Sequence, residues 1–151
     1  MILISACLAG IHCRYNQGHN CSEKVVEVIK SQPSVIVCPE QLGGLSTPRH
    51  PAEIIGGNGD DVLNGEAKVM SSEGEDLTES FIRGAEEVLD IARLYGVKRA
   101  ILKSGSPSCG HGKIYDGSFS GEKIPGDGVT SALLKRNGIE VITEEENLIN
   151  K

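Results

Sequence analysis

At 151 residues, with 15 Lys and Arg against 21 Asp and Glu for a formal charge of −6, the chain is long enough for one domain with its own core. It is too acidic for a broad electrostatic grip on extended nucleic acid or an anionic membrane. No apolar run reaches the roughly 18 to 20 residues of a membrane span, and the N-terminus lacks the basic, apolar and cleavage regions of a signal peptide, so the expectation is a single domain over residues 1–151, cytoplasmic, acting on a small molecule.

Met1 to Ala6, "MILISA", is a short apolar run ending at Cys7 and Gly10, the pattern of a buried strand reaching a loop. Ser22 caps a helix predicted over Glu23 to Ser31, and Pro33 stops it. Val35 to Val37 form the second strand. Pro39 to Asn64 follow as a long loop rich in Gly and Pro, with a short extended piece at Ala52 to Ile55, and Ala67 to Met70 form a small edge strand. Phe81, Ala85, Val88, Leu89 and Ala92 recur at helical spacing, which predicts a long helix from Thr78 to about Tyr95, closed by Gly96. Arg99 to Lys103 is the third strand, "GDGVTSALLKRNG" a helix closed by Gly138, and Ile139 to Ile142 the fourth strand. The acidic "TEEENLINK" reads as a solvated helix or a frayed end. With only 3% aromatic residues and no Trp, the core rests on aliphatic side chains. The alternation of strands and helices then predicts an α/β fold: a single-domain three-layer sandwich with a mostly parallel, Rossmann-like sheet. Ligands of such folds sit beyond the carboxyl ends of the strands.

Five cysteines, an odd number spread over more than 100 residues, exclude a complete disulfide framework and leave buried apolar residues, reactive thiols or metal ligands. Cys7 ends the first strand, Cys38 ends the second, and Cys109 lies in "SGSPSCGHGK" after the third, so all three fall on one edge of the inferred sheet. Convergent thiolates prefer zinc, copper(I) or an iron–sulfur cluster; three separate buried cysteines are the plainer alternative. The loop around Cys109 adds hydroxyls at Ser104, Ser106 and Ser108, and Glu40 stands two residues beyond Cys38, within reach of whatever Cys38 holds. Three thiolates on a four-iron cluster leave one iron without a protein ligand, and an open position separates catalytic from structural metal sites.

The stretches "SACLAGIHCRY", "CPEQLGGLSTPRHPAEI", "SPSCG" and "IYDGSFSGEKIPGDGVTSALL", in that order and spanning nearly the whole chain, resemble the thiouracil desulfurase (TudS) family. The resemblance implies an oxygen-sensitive [4Fe-4S] cluster held by three cysteines with one open iron site, and a non-redox reaction that replaces C=S by C=O in a small thiolated nucleobase such as 2-thiouracil. Carried over residue by residue, it makes Cys7, Cys38 and Cys109 the cluster ligands, Glu40 the catalytic carboxylate, and Ser106 or Ser108 a second catalytic group. Ser104 and Arg49 are the expected substrate contacts. Cys13 lies in a family-like motif, so a ligand set that includes it stays open. Ala9, Ser46 and "CRYNQ" depart from the family's usual Leu, Pro and "CRYDG", which bears on substrate fit more than on the cluster.

Other residues admit further readings. Arg14 and Lys103 suit either a ligand or a salt bridge. His12 and His19 beside Cys13 and Cys21, with His50 and His111 elsewhere, invite a mixed His/Cys zinc site. The turn before "VTSALL" offers free N–H groups to an anion unless Asp127 caps them. A thiol-based redox sensor and a zinc hydrolase on the same three cysteines are the rival functions. The oligomeric state has no signature in the sequence.

Overall fold

The computed structural model describes residues 1–146 and Leu148. Four strands, β1 (Ile2–Ser5), β2 (Ser34–Val37), β5 (Arg99–Leu102) and β8 (Glu140–Thr143), form a wholly parallel sheet in the order β2-β1-β5-β8. Side chains alternate across a strand, so each strand serves two cores. Leu3, Ala100, Leu102 and Val141 face Val88, Leu89 and Ala92 of α4 (Thr78–Leu94) and Leu134 of α5 (Val129–Arg136). Ile2, Ile4, Ile101 and Ile142 face Val25 of α1 (Glu23–Ser31). Helices on both faces give the three-layer α/β domain that the element order predicts.

The predicted helix signals hold in detail. Ser22 Oγ accepts the Val25 N–H, and Gly96 and Gly138 take positive φ just past the ends of α4 and α5. The loop expected over residues 39–64 is more ordered than its composition suggests. It contains α2 (Pro39–Leu42), β3 (Ala52–Ile55) and α3 (Gly59–Leu63), the last opened by a capping box between Asn58 and Asp61. β3 pairs antiparallel with β4 (Lys68–Ser71), and this pair sits apart from the main sheet over a third core of Ile54, Val69, Phe81 and Ile114. A further hairpin, β6 (Lys113–Tyr115) with β7 (Lys123–Pro125), fills the segment between β5 and α5. The acidic segment expected as a solvated helix or frayed end instead begins as the end of β8 and a turn through Glu144 and Glu145, and Leu148 is buried with Ile2 and Ile4. The rest of that expectation, at Asn147 and residues 149–151, lies outside the described residues. Among the described residues no helix is long and apolar enough to cross a membrane.

α2 is one turn long and docks directly on α4. A Cβ at Gly84 would overlap the carbonyl of Pro39, and one at Gly43 would overlap that of Ser80, so two glycines permit the close crossing. The crossing fixes Cys38 and Glu40, which flank Pro39, against the carboxyl end of the sheet.

Candidate active site at the strand ends

Strand order reverses around β1: the chain passes from β1 to β2 on one side and later returns to β5 on the other. The carboxyl ends of these three strands open on a cavity of about 300 Å³. Cys7 enters it from a 3-10 turn that continues β1 (Ala6–Ala9), Cys38 from the N-cap position of α2, and Cys109 from the turn after β5. The three cysteines expected to converge do line one cavity, and Cys13 joins them. All are free thiols.

Their protonation differs with their neighbours. The Cys13 thiol neighbours both Cys38 and Cys7 in the cavity wall, and the Cys38 thiol reaches the Cys13 carbonyl at 3.8 Å. Cys13 pulls Cys38 down to about 7, against the opposing effect of burial, and lowers Cys7 as well; both partners push Cys13 itself upward. Cys13 is thus held in the thiol form beside Cys38 and Cys7, whose thiols it eases toward ionisation. Burial pushes the Cys109 thiol up, and the Ser5 hydroxyl, which donates to its sulfur at 3.3 Å, works the other way. A wholly buried thiolate needs a counter-cation such as a metal. Among the described residues no group of three or more His, Cys, Asp or Glu side chains is arranged to hold a single metal ion. An iron–sulfur cluster asks for something different, since each cysteine binds its own iron and the sulfurs surround the cluster. The donor set here, soft thiols from three strand ends around one cavity, fits such a cluster.

Burial raises the Glu40 carboxyl, and Arg49, whose Nε lies 3.4 Å from Oε1, opposes that rise. Arg49 itself is committed: Nη1 donates to Ser46 O and Thr47 Oγ1, Nη2 to Cys13 O at 2.9 Å, and its side chain is 7% exposed. The expected substrate contact is, in this structure, a brace between Glu40 and the Cys13 loop.

The serines separate clearly. Ser106 lines the cavity, and its Oγ accepts the N–H groups of Ser108 and Cys109, leaving its own proton free to donate. Ser108 does not reach the cavity lining: it is 1% exposed and its hydroxyl pairs with Thr130 at 2.8 Å. Ser104 lines the cavity but its hydroxyl is held by Glu144 at 3.0 Å and by Lys103 Nζ, which also reaches Glu144 at 3.1 Å. Neither Ser104 nor Lys103 is therefore a free arm toward a ligand.

The anion seat expected at α5 is taken from within. The N–H groups of Val129, Thr130 and Ser131 bond the carbonyls of Pro107 and Ser108, so the helix start clamps the Cys109 loop. Asp127 does not cap it; its carboxylate accepts from His111, the Gly112 N–H and Lys135. His12 and His19 stack edge to face with centroids 4.9 Å apart, and the mixed His/Cys zinc site does not assemble, since Cys13 turns to the cavity and Cys21 is exposed. Ser5, Tyr15, Asn20, Glu53 and Tyr115 also line the cavity and lie outside the sequence expectations. Ser5, Tyr15, Glu53 and Tyr115 fall inside the stretches that carry the family resemblance, but none has a local signal of a cavity.

Comparison with known proteins bears on the fold and the family. A solved structure of the [4Fe-4S]-dependent thiouracil desulfidase TudS superposes with a TM-score of 0.83 at 40% identity, over 95% of this chain and 90% of that one. The uncharacterized protein YbbK of Bacillus subtilis (strain 168) is 56% identical over 146 residues, 97% of each chain. The family model for 2-thiouracil desulfurase matches residues 2–146, and the chain belongs to that family.

Proposed function

We propose that this chain is an iron–sulfur-dependent desulfurase that replaces the C=S of a thiolated pyrimidine, such as 2-thiouracil, by C=O. Water supplies the oxygen, sulfide leaves, and no electron is transferred. The observation that carries this reading is the convergence of Cys7, Cys38 and Cys109 with Glu40 and Ser106 on one cavity. A cavity of about 300 Å³ is at the small end of ligand sites, and shared with a cluster it favours a substrate no larger than a single heterocyclic ring.

Cys7, Cys38 and Cys109 would hold a [4Fe-4S] cluster, with Cys13 as a protonated neighbour. Bound there, the cluster supplies a Lewis acid with affinity for the sulfur of the substrate. Glu40 takes a proton from the water that attacks the thiocarbonyl carbon, and a carboxylate with a raised pKa is the stronger base for that task. Arg49 fixes the direction of the carboxylate. Ser106, already accepting two N–H groups, donates its hydroxyl proton to negative charge developing on the ring. Free thiols and an oxygen-sensitive cluster suit a reducing compartment, the cytoplasm.

The test is purification without oxygen followed by iron and acid-labile sulfide analysis of the wild type and of Cys7→Ala, Cys38→Ala and Cys109→Ala, with sulfide release from 2-thiouracil as the activity. A cluster lost in all three variants, with substrate-dependent sulfide release in the wild type, is the expected result. Zinc in place of iron, or no metal after reconstitution, would overturn the mechanism.

A further inference from the structure

Two carboxylates line the cavity, and they are partnered differently. Glu40 faces the Arg49 guanidinium. Glu53, on β3, is 9% exposed, and among the described residues no Lys, Arg or His forms an ion pair with it. Its Oε1 accepts the backbone N–H groups of Gly117 at 3.0 Å and Phe119 at 3.1 Å, which pins the loop of the β6–β7 hairpin. Its Oε2 meets no donor among the described residues. Oε2 is not among the sealed-off polar atoms of the described residues, so it opens to the cavity, where an acceptor on an otherwise buried side chain is placed to take a donor from a ligand.

The pinned hairpin also carries Tyr115 into the cavity wall, beside Gly105 and with Lys123 Nζ 5.2 Å from the ring centroid. An aromatic face and an unpaired acceptor lining the same cavity match a planar heterocycle bearing an N–H. In 2-thiouracil both ring nitrogens flanking the C=S carry one.

We propose that Glu53 is a specificity-determining residue: Oε2 accepts a ring N–H next to the thiocarbonyl while Tyr115 packs on the ring. The proposal rests on the desulfurase reading above. It makes the preferred substrates thiolated rings with at least one unsubstituted nitrogen beside the C=S. Glu53 has two tasks, since the oxygen that holds the loop also fixes where the other oxygen stands.

Glu53→Gln separates them, because the amide oxygen can still accept from Gly117 and Phe119 while an NH2 donor replaces the free acceptor. Wild type and variant, both with cluster, are compared in kcat and KM for 2-thiouracil, 1-methyl-2-thiouracil and 3-methyl-2-thiouracil, and in calorimetric titration with uracil, which reads binding without turnover. The variant is expected to raise both the KM for 2-thiouracil and the uracil Kd by about tenfold or more, with a smaller change in kcat. One of the two methylated substrates, disfavoured by the wild type, should lose most of that penalty in the variant. Unchanged KM and uracil Kd, or equal methyl penalties in both enzymes, would overturn the proposal. Should the variant melt far below the wild type, the wild-type methyl series decides alone, and no penalty for either analogue overturns it. A wild-type holoenzyme that releases no sulfide overturns the desulfurase reading and this one with it; an active wild type beside an indifferent variant overturns only this one.

Discussion

Arg49 Nε stands 3.4 Å from Glu40 Oε1 while Nη2 of the same guanidinium donates to the Cys13 carbonyl at 2.9 Å, so one side chain ties the carboxylate of α2 to the loop after β1. An Arg that met the substrate would leave part of its fork free, and here every nitrogen has a protein partner. Arg49→Ala is expected to lower kcat by about 10- to 100-fold through loss of Glu40 orientation, with iron content and KM little changed. Arg49→Lys restores the charge without the fork and should recover part of that loss. Steady-state kinetics on protein of known iron content checks both, and a rise in KM with kcat intact would return Arg49 to the substrate.

Glu40→Gln removes the proposed proton acceptor but little volume. Turnover should fall by at least about 100-fold while the cluster's visible absorbance is retained. Anaerobic spectra and sulfide release on the same sample separate the two effects. Full activity in this variant would take Glu40 out of the mechanism.

The three cysteines were legible because β1, β2 and β5 are short apolar runs, the first two followed closely by a cysteine and the third by the loop that carries Cys109, so the runs announce both the buried strands and the loops beyond them. Direction within those loops was not. Ser106 and Ser108 are two apart in one turn, and only the packing of Ser108 against Thr130 on α5 decides which faces the cavity. α2, α3 and the β6–β7 strands have three to five residues each, too short for periodicity to register. Pro39 and the Asn58–Asp61 box were the available signals for the two helices. Glu53 and Tyr115 come to the site through tertiary pairing of strands outside the main sheet, which no local pattern encodes.

Ser5 is buried beneath the site, with its hydroxyl donating to Cys109 Sγ and accepting the Lys103 N–H at 3.0 Å. Ser5→Ala leaves that N–H and the sulfur unmet at the most buried of the three proposed ligands. The expected costs are about 1–2 kcal/mol of stability, a few degrees in Tm, and faster loss of iron to a chelator. Both are measured on the reconstituted protein. Iron loss at the wild-type rate would show that the Ser5 contact does not matter to the cluster.

Gly84 lies where α4 meets α2, and a side chain there has no room. In most exposed helix interiors Gly→Ala stabilises, by roughly 1 kcal/mol. Here Gly84→Ala should destabilise by about 1–3 kcal/mol and push α2, with Cys38 and Glu40, away from the sheet. Activity per bound cluster should fall with stability, whereas a raised Tm would place the helices farther apart than described.

Asp127 joins the Cys109 loop to α5. Burial acts to raise its carboxyl, but the hydrogen bond from Lys135, the Gly112 N–H and the nearby charges outweigh it and hold the group below its ordinary range. A carboxylate depressed in the folded state stabilises above its unfolded pKa of about 3.9, and that contribution disappears as pH falls through the folded value. Asp127→Asn should therefore lower Tm at pH 5 to 7, by an amount corresponding to about 1–2 kcal/mol, and the gap to wild type should close below about pH 4. A gap that stayed constant down to pH 3 would mean that the amide is worse for its shape and hydrogen bonding rather than for its lost charge, leaving the ion pair with Lys135 without weight in the fold.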